Sequence, residues 1–259
     1  MSDDDISLSE KRVYADTDDA TTAFVATELG VARVSISDDI VGEFSLEHRG
    51  LATGVASADG RLAIATPDDV LLVTEEGVRE TEFGPATAVG YCEGFVAAGG
   101  GRIARFDGAW ETLSELDGVR AIDGGMVAAE SGIHRLDGTH VGLDDAFDVS
   151  TVETPLAATE AGLYYLANGW MRAREGRFSV VASDGDRAHA ATGAELYVRG
   201  ADFGTWRPVE LPTDQPVVDI AYGDGVYAVT RDGTVLVDAG DGWRHRSIGL
   251  TGVRGLAVL

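Results

Sequence analysis

Apolar and polar residues alternate along this chain in short runs, and one arrangement of them recurs. Leu156–Leu166 (LAATEAGLYYL) shows it best: an apolar run closing on Thr159, a turn at Glu160-Ala161-Gly162, and an apolar run back. Runs of four to eight residues bounded by Gly and Asp are strand signals. Further copies start at Phe24, Leu62, Phe95, Met126, His189 and Val226. Their first runs end at Thr27, Thr66, Ala98, Ala129, Thr192 and Thr230, so the seven copies stand 30 to 39 residues apart. Self-similarity at that period marks a repeat architecture.

The flanks repeat as well. A small apolar run ending in a Gly-rich turn precedes the copies, as in VGYCEG before Phe95 and AIDGG before Met126. A more polar run follows, and all four tryptophans open it: Trp110, Trp170, Trp206 and Trp243. Each unit therefore reads as four strands, three apolar or mixed and one polar. Glu111–Leu116 and Asp144–Val149 are the two stretches whose pattern also admits a helix. Four strands per unit and seven units specify a single all-β, seven-bladed β-propeller, with six blades as the alternative. The smallest run of each unit belongs at the crowded axis. The Trp strand belongs outside, its indole packed over the neighbouring blade and its N–H near water. The fifth repeat is the weakest, and Val149–Val152 has to serve as its inner strand. Val253–Val258 reads as an inner strand with none of its own unit after it, while the copy at Phe24 lacks one before it. The C-terminal strand is thus expected to complete the N-terminal blade and close the ring. Residues 1–10 read as an acidic disordered tail and 11–259 as the propeller. Lys11–Asp16 reads as an extra outer strand or an imperfect inner one.

Composition adds mainly charge. The chain has 259 residues, enough for a full core, with 44% apolar residues and 34 glycines for tight turns. Its formal net charge is −24, and Lys11 is its only lysine. Such a surface repels itself in dilute buffer but is tolerable in concentrated salt, where the Debye length falls to roughly 3 Å at 1 M. Acid excess with lysine nearly absent points to a halophile. The same charge opposes a nucleic-acid partner. No apolar stretch approaches the roughly 20 residues of a spanning helix, and the acidic start MSDDDISLSEKR is no secretory signal. The expected location is the cytoplasm and the expected state a monomer, without a membrane role. Cys92 stands alone in an apolar run, so a buried core residue is expected rather than a nucleophile.

The pattern apolar–Ala–Thr–x–x–Gly, followed by an apolar strand and then Trp, resembles the repeats of BNR (Asp-box) and related WD40-like or YVTN propellers. Asp238-Ala239-Gly240-Asp241-Gly242-Trp243 comes nearest to an Asp box, with Val237 where the box has Ser or Thr. Asp202–Trp206 and Asp107–Trp110 are shorter versions. Over residues 11–259, with its acid excess, the chain resembles an uncharacterised propeller family of halophilic archaea. That resemblance implies a fold and a lineage, and no activity.

Candidate chemistry collects where the copies differ. Aligning the inner strands on the turns that end them puts Gly54, Ala88, Arg120, Asp219 and Arg254 at one inward position. Arg120 and Arg254, with Arg49 joining from a connecting loop, are candidates to hold a carboxylate or phosphate. The competing reading is a set of channel ions in which Asp219 neutralises Arg254. His48, His134, His140, His189 and His245 lack metal-ligand spacing; His189 is expected on a repeat strand and the others on outer strands or their turns. The acidic turns at Asp38-Asp39, Asp68-Asp69, Asp144-Asp145 and Asp184-Gly185-Asp186 lack the spaced ligands of a calcium loop. No nucleophile elbow or phosphate loop is present, and no catalytic residue, metal or cofactor is assigned. Two function classes follow: a non-catalytic scaffold binding a protein partner, or a small anionic-ligand binder or sialidase/lyase-like enzyme using the axial funnel. Fold alone does not choose between them.

Overall fold

A computed structural model describes residues 20–74 and 76–259. Residues 1–10 and the Lys11–Asp16 strand lie outside the described residues. Seven four-stranded antiparallel sheets stand in a ring, six of them simple meanders and the first completed by the C-terminal strand. Among the described residues there is no helix, so Glu111–Leu116 and Asp144–Val149 resolve as strand and the turn before it. The sevenfold count replaces the six-blade alternative.

Each copy of the repeated phrase is the middle hairpin of a blade. In blade one, Thr21–Thr27 pairs with Gly30–Ser37; in blade five, Leu156–Thr159 pairs with Gly162–Leu166. The recurring threonine has a local cause. Thr27 Oγ1 donates to the Gly30 carbonyl at 2.9 Å and accepts the Leu29 N–H at 3.2 Å. Thr159 does the same across its own turn with Gly162 and Ala161. A hydroxyl closing on nearby backbone is what a two-residue turn needs. The glycine after the turn is fixed by sterics. Gly30 (φ +143°) and Gly132 (φ +109°) lie where a Cβ would strike the carbonyls of His48, on the outer strand of blade one, and Leu143, just past that of blade four.

Ring closure follows the expectation. Gly255–Val258 is the innermost strand of blade one, with Leu256 opposite Val25 and Ala257 opposite Phe24. The ladder ends in a reciprocal pair: Thr22 N–H to the Leu259 carbonyl (3.0 Å) and Leu259 N–H to the Thr22 carbonyl (2.8 Å).

The core is divided among the blade contacts. Alternate residues of a strand face opposite neighbours, so both faces of each blade are apolar. In Thr21–Thr27, Ala23 and Val25 pack on blade seven with Tyr227, Val229 and Val237. Phe24 and Ala26 pack on blade two with Leu62, Ile64 and Leu71. Among the described residues one such cluster fills every contact around the ring. The tryptophans join these clusters from outside. Three of the four N–H groups, however, bond to backbone carbonyls rather than to water. Trp110 Nε1 donates to the Thr81 carbonyl of blade two (3.1 Å), and Trp170 Nε1 to the Val141 carbonyl of blade four (3.0 Å). Trp206 Nε1 bonds Phe203 in its own blade (2.9 Å). A half-buried carbonyl at the blade edge needs a donor, and the indole supplies it.

Candidate functional site

The inner strands are Gly255–Val258, Gly54–Ala58, Ala88–Tyr91, Val119–Asp123, Ala146–Ser150, Val180–Ser183 and Val217–Tyr222, in ring order from blade one. They enclose an axial cavity of about 530 Å³. Neighbouring inner strands share no backbone ladder, so side chains must satisfy the backbone groups between them. Every contact between adjacent blades carries such a link. Ser57 Oγ donates to the Val258 carbonyl (2.5 Å), Thr53 Oγ1 to Ala86 (2.8 Å) and Thr87 Oγ1 to Val119 (3.2 Å). Asp123 Oδ2 accepts the Thr151 N–H (2.6 Å). Asp148 Oδ2 accepts the Val181 N–H (2.9 Å), and Asp219 Oδ2 the Leu256 N–H (2.7 Å). Between blades six and seven the Tyr222 hydroxyl stands 3.5 Å from the Ala182 carbonyl and also meets His189 Nδ1 at 2.6 Å.

Asp148 and Asp219 are the same device two blades apart. Each also accepts the N–H of its own next residue, Val149 at 2.9 Å and Ile220 at 2.8 Å. Each follows a residue bulged out of the ladder, Phe147 and Val218. Surrounding protein strips most of the water from both carboxyls. That burial, with the Asp219 charge adding to it, pushes Asp148 up to about 8. Burial pushes Asp219 up to about 6. The sequence reading missed Asp148. It placed the fifth inner strand at Val149–Val152, whereas the strand is Ala146–Ser150.

The four residues singled out from sequence do not meet at one point. Arg120, Asp219 and Arg254 line the axial cavity, and Arg49 is not among the lining residues. Arg49 ends the outer strand Ile40–Arg49 of blade one. Asp219 stands at the position of Gly54 and Ala88. Arg120 and Arg254 come one step earlier: Ala121 and Gly255, not the arginines, lie opposite Ala128 and Ala26. The inner hairpins differ in length, which causes the offset at Arg120. Ala121 stands two residues before Asp123, where its strand ends, and Asp219 three before Tyr222, so strands counted back from their turns slip by one. Arg120 is already engaged. Its Nη1 donates to Asp145 Oδ1 (2.6 Å) and the Ala146 carbonyl (3.1 Å), its Nη2 faces Glu130 at 3.7 Å, and its guanidinium lies over the Phe147 ring at 4.5 Å. Arg254 is exposed at the cavity mouth and forms no ion pair among the described residues, with Asp219 or any other carboxylate.

The remaining candidates resolve as structure. His189 is buried against Tyr222 and Trp243, and burial pushes its imidazole down to about 4. Tyr222 is pushed up by the same cause, so the phenol donates to a neutral ring. His134 differs from expectation. It lies on the third strand of blade four, Gly132–Arg135, buried and held by Ser131 Oγ (2.8 Å) and the Gly138 carbonyl (3.2 Å). Asp69 of the Asp68-Asp69 turn accepts five backbone N–H groups, from Val70, Thr81, Glu82, Phe83 and Gly84, at 2.7 to 3.2 Å. Those bonds hold its carboxyl below the usual range although burial opposes them. Cys92 is half-buried beside the cluster between blades three and four. Among the described residues no group of three or more His, Cys, Asp or Glu is placed to hold a metal, and no helix is long and apolar enough to cross a membrane.

Solved structures similar to this chain share its architecture. A chain of the nidogen/laminin complex matches with a TM-score of 0.63 at 10% identity, covering 92% of this chain and 98% of that one. The structure of YCF48 bound to D1 peptide gives 0.56 at 12%, covering 74% and 80%. A putative 6-phosphogluconolactonase from Bacteroides fragilis gives 0.61 at 14%, covering 95% and 99%. At these identities the likeness is one of fold alone. No curated protein matches the chain. The family model described as Beta-prop_HVO_0234:-like, beta propeller, matches residues 7–259, almost the whole sequence and all of the ring. The chain therefore belongs to the HVO_0234-like beta-propeller family.

Proposed function

We propose that this propeller is a non-catalytic scaffold that binds a protein partner in the salt-rich cytoplasm of a halophile. The observation that carries the reading is on the outer strand of blade one. Ile40, Phe44 and Leu46 are 66%, 43% and 39% exposed there. The strand is the outermost of its sheet, so its far edge has no strand partner among the described residues. Large apolar side chains on an open strand edge are a liability that interaction surfaces exploit. The charge of −24 supports a protein partner over a nucleic acid. Three charged groups of the axial cavity also serve the fold: Asp148 and Asp219 hold neighbouring strands, and Arg120 is ion-paired. The test is cross-linked capture in concentrated salt with the wild type and a Phe44→Glu/Leu46→Glu variant. A partner held by the first and lost from the second, at equal melting temperature, is the expected result. The same monomer from both overturns the reading.

A second reading places a small anionic ligand in the axial cavity. It rests on Arg254, which lines the cavity and has no carboxylate partner among the described residues. A sialidase- or lyase-like site needs several convergent arginines, and Arg49 is not among the cavity residues. The ligand-binding form is therefore the one retained. Titration with butyrate and with inorganic phosphate tests it: binding that Arg254→Gln weakens supports it, and no binding of either overturns it.

A further inference from the structure

Two opposite charges face the axial cavity without closing on each other. Arg254 is in the inner segment of blade one, at the mouth. Asp219 is in the adjacent inner strand of blade seven, one position deeper in the aligned strands. Nothing in the backbone separates them: Asp219 Oδ2 already touches the N–H of Leu256, two residues from Arg254. Oppositely charged groups this near would gain by pairing. Instead Asp219 turns along the wall to the backbone, and Arg254 is exposed and forms no ion pair with it.

The carboxylates are also incompletely satisfied. A carboxylate has about four acceptor sites. Asp219 and Asp148 each use two, both on backbone N–H groups. Neither has a cationic side chain in ion-pair range among the described residues. The wall beside Asp219 is stripped back. Gly255 and Gly54 occupy the same level in blades one and two, and a Cβ on Gly255 would sit 3.5 Å from Asp219 Oδ2. At the level of Arg254 the lining carries Thr53, Thr87 and Ser179, whose hydroxyls donate to backbone carbonyls and keep lone pairs to accept with. The volume of about 530 Å³ lies within the range of small-molecule sites.

We propose that the axial cavity binds a small zwitterion of the amino-acid class, its carboxylate at Arg254 and its ammonium between Asp219 and Asp148. The inference rests on the second reading above and narrows it from an anion to a molecule carrying both charges. An anion alone would leave the Asp219 carboxylate facing it across the cavity. An ammonium alone would leave Arg254 unpaired. A molecule with both ends neutralises each pole at once.

Calorimetric titration of the full chain, at matched ionic strength, tests this with an amino-acid series: glycine, β-alanine, γ-aminobutyrate and ε-aminocaproate. Butyrate and butylamine are the single-charge controls. At least one member of the series should bind about tenfold or more tighter than both controls, a gap of about 1.4 kcal/mol. Arg254→Gln should weaken that member to the level of butylamine, and Asp219→Asn to the level of butyrate. Arg254 is exposed, so its variant keeps the fold, and Asp148→Asn stands in if Asp219→Asn does not fold. Butyrate binding as tightly as every amino acid, and lost in Arg254→Gln, overturns the zwitterion and leaves an anion site standing. If no probe binds, both fall.

Discussion

Asp219 Oδ2 accepts the Leu256 N–H at 2.7 Å, and this bond joins the last complete blade to the strand that closes the ring. Removing the carboxyl leaves a half-buried N–H without a partner. Asp219→Ala should cost about 1–3 kcal/mol in urea unfolding. Asp219→Asn keeps one acceptor oxygen and should cost less. Arg254→Gln, one segment away but solvent-facing, should leave stability within about 0.5 kcal/mol of wild type.

Stability should fall as pH rises from about 4 to about 8. Asp148 and Asp219 titrate in the folded chain at about 8 and about 6, above the ordinary value of 3.8. Between the unfolded and folded values the native state holds more protons than the unfolded one, so each pH increment favours unfolding. Above about 8 this contribution should be flat. Urea midpoints measured across that range in Asp148→Asn should lose most of the slope. An unchanged slope in that variant would mean that Asp148 is not its source.

Asp69 acts with the opposite sign. Its folded-state value lies below 3.8, so its contribution is fully present above that pH and is lost as pH falls through the folded value. Asp69→Ala should destabilise by at least about 2 kcal/mol, because it frees several N–H groups of the Thr81–Gly84 loop together. It should also shift the acid-unfolding midpoint upward in a circular-dichroism titration. Acid and alkaline limbs would then separate in the two Asp variants.

Trp170→Phe keeps much of the apolar contact between blades four and five but deletes the donor to the Val141 carbonyl. A loss of about 1 kcal/mol beyond the change in packed volume is expected. Trp110→Phe should behave alike at Thr81. Trp206→Phe breaks a bond inside one blade and should matter less to the contact between blades. Fluorescence-detected urea unfolding of the three variants compares them directly.

The melting temperature should climb with KCl concentration and level off once the Debye length nears roughly 3 Å at 1 M. The net charge of −24 supplies the repulsion that salt screens. A melting temperature independent of salt would remove the main support for a halophilic setting.

The blades were legible because each phrase carries its own local reasons. Thr27 and Thr159 close turns by their hydroxyls, Gly30 and Gly132 clear the outer strand, and alternation buries both faces of the hairpin. Such signals are short-range and survive in sequence. The axis was less legible. The inner hairpins differ in length, with Ala121 and Asp148 two residues before the ends of their strands and Asp219 three, so a count from the turns slips by one between blades. Asp148 disappeared in that slip, and Arg120 was aligned with Asp219 although it matches Val218. The engagement of Arg120 by Asp145 and Glu130 depends on side chains from neighbouring loops, which periodicity does not encode. The Trp N–H acceptors, Thr81 and Val141, each stand 29 residues before their partners, a relation fixed only by how one blade leans on the next.

Ring closure also sets a timetable for synthesis. The outer three strands of blade one leave the ribosome before the other six blades, yet its axial strand, Gly255–Val258, is made after all of them. Until then Thr21–Thr27 presents an open ladder edge, and Asp219 has no Leu256 N–H to hold. The nascent chain thus carries an apolar strand with one open edge while the six following blades are made, the condition in which strands find wrong partners.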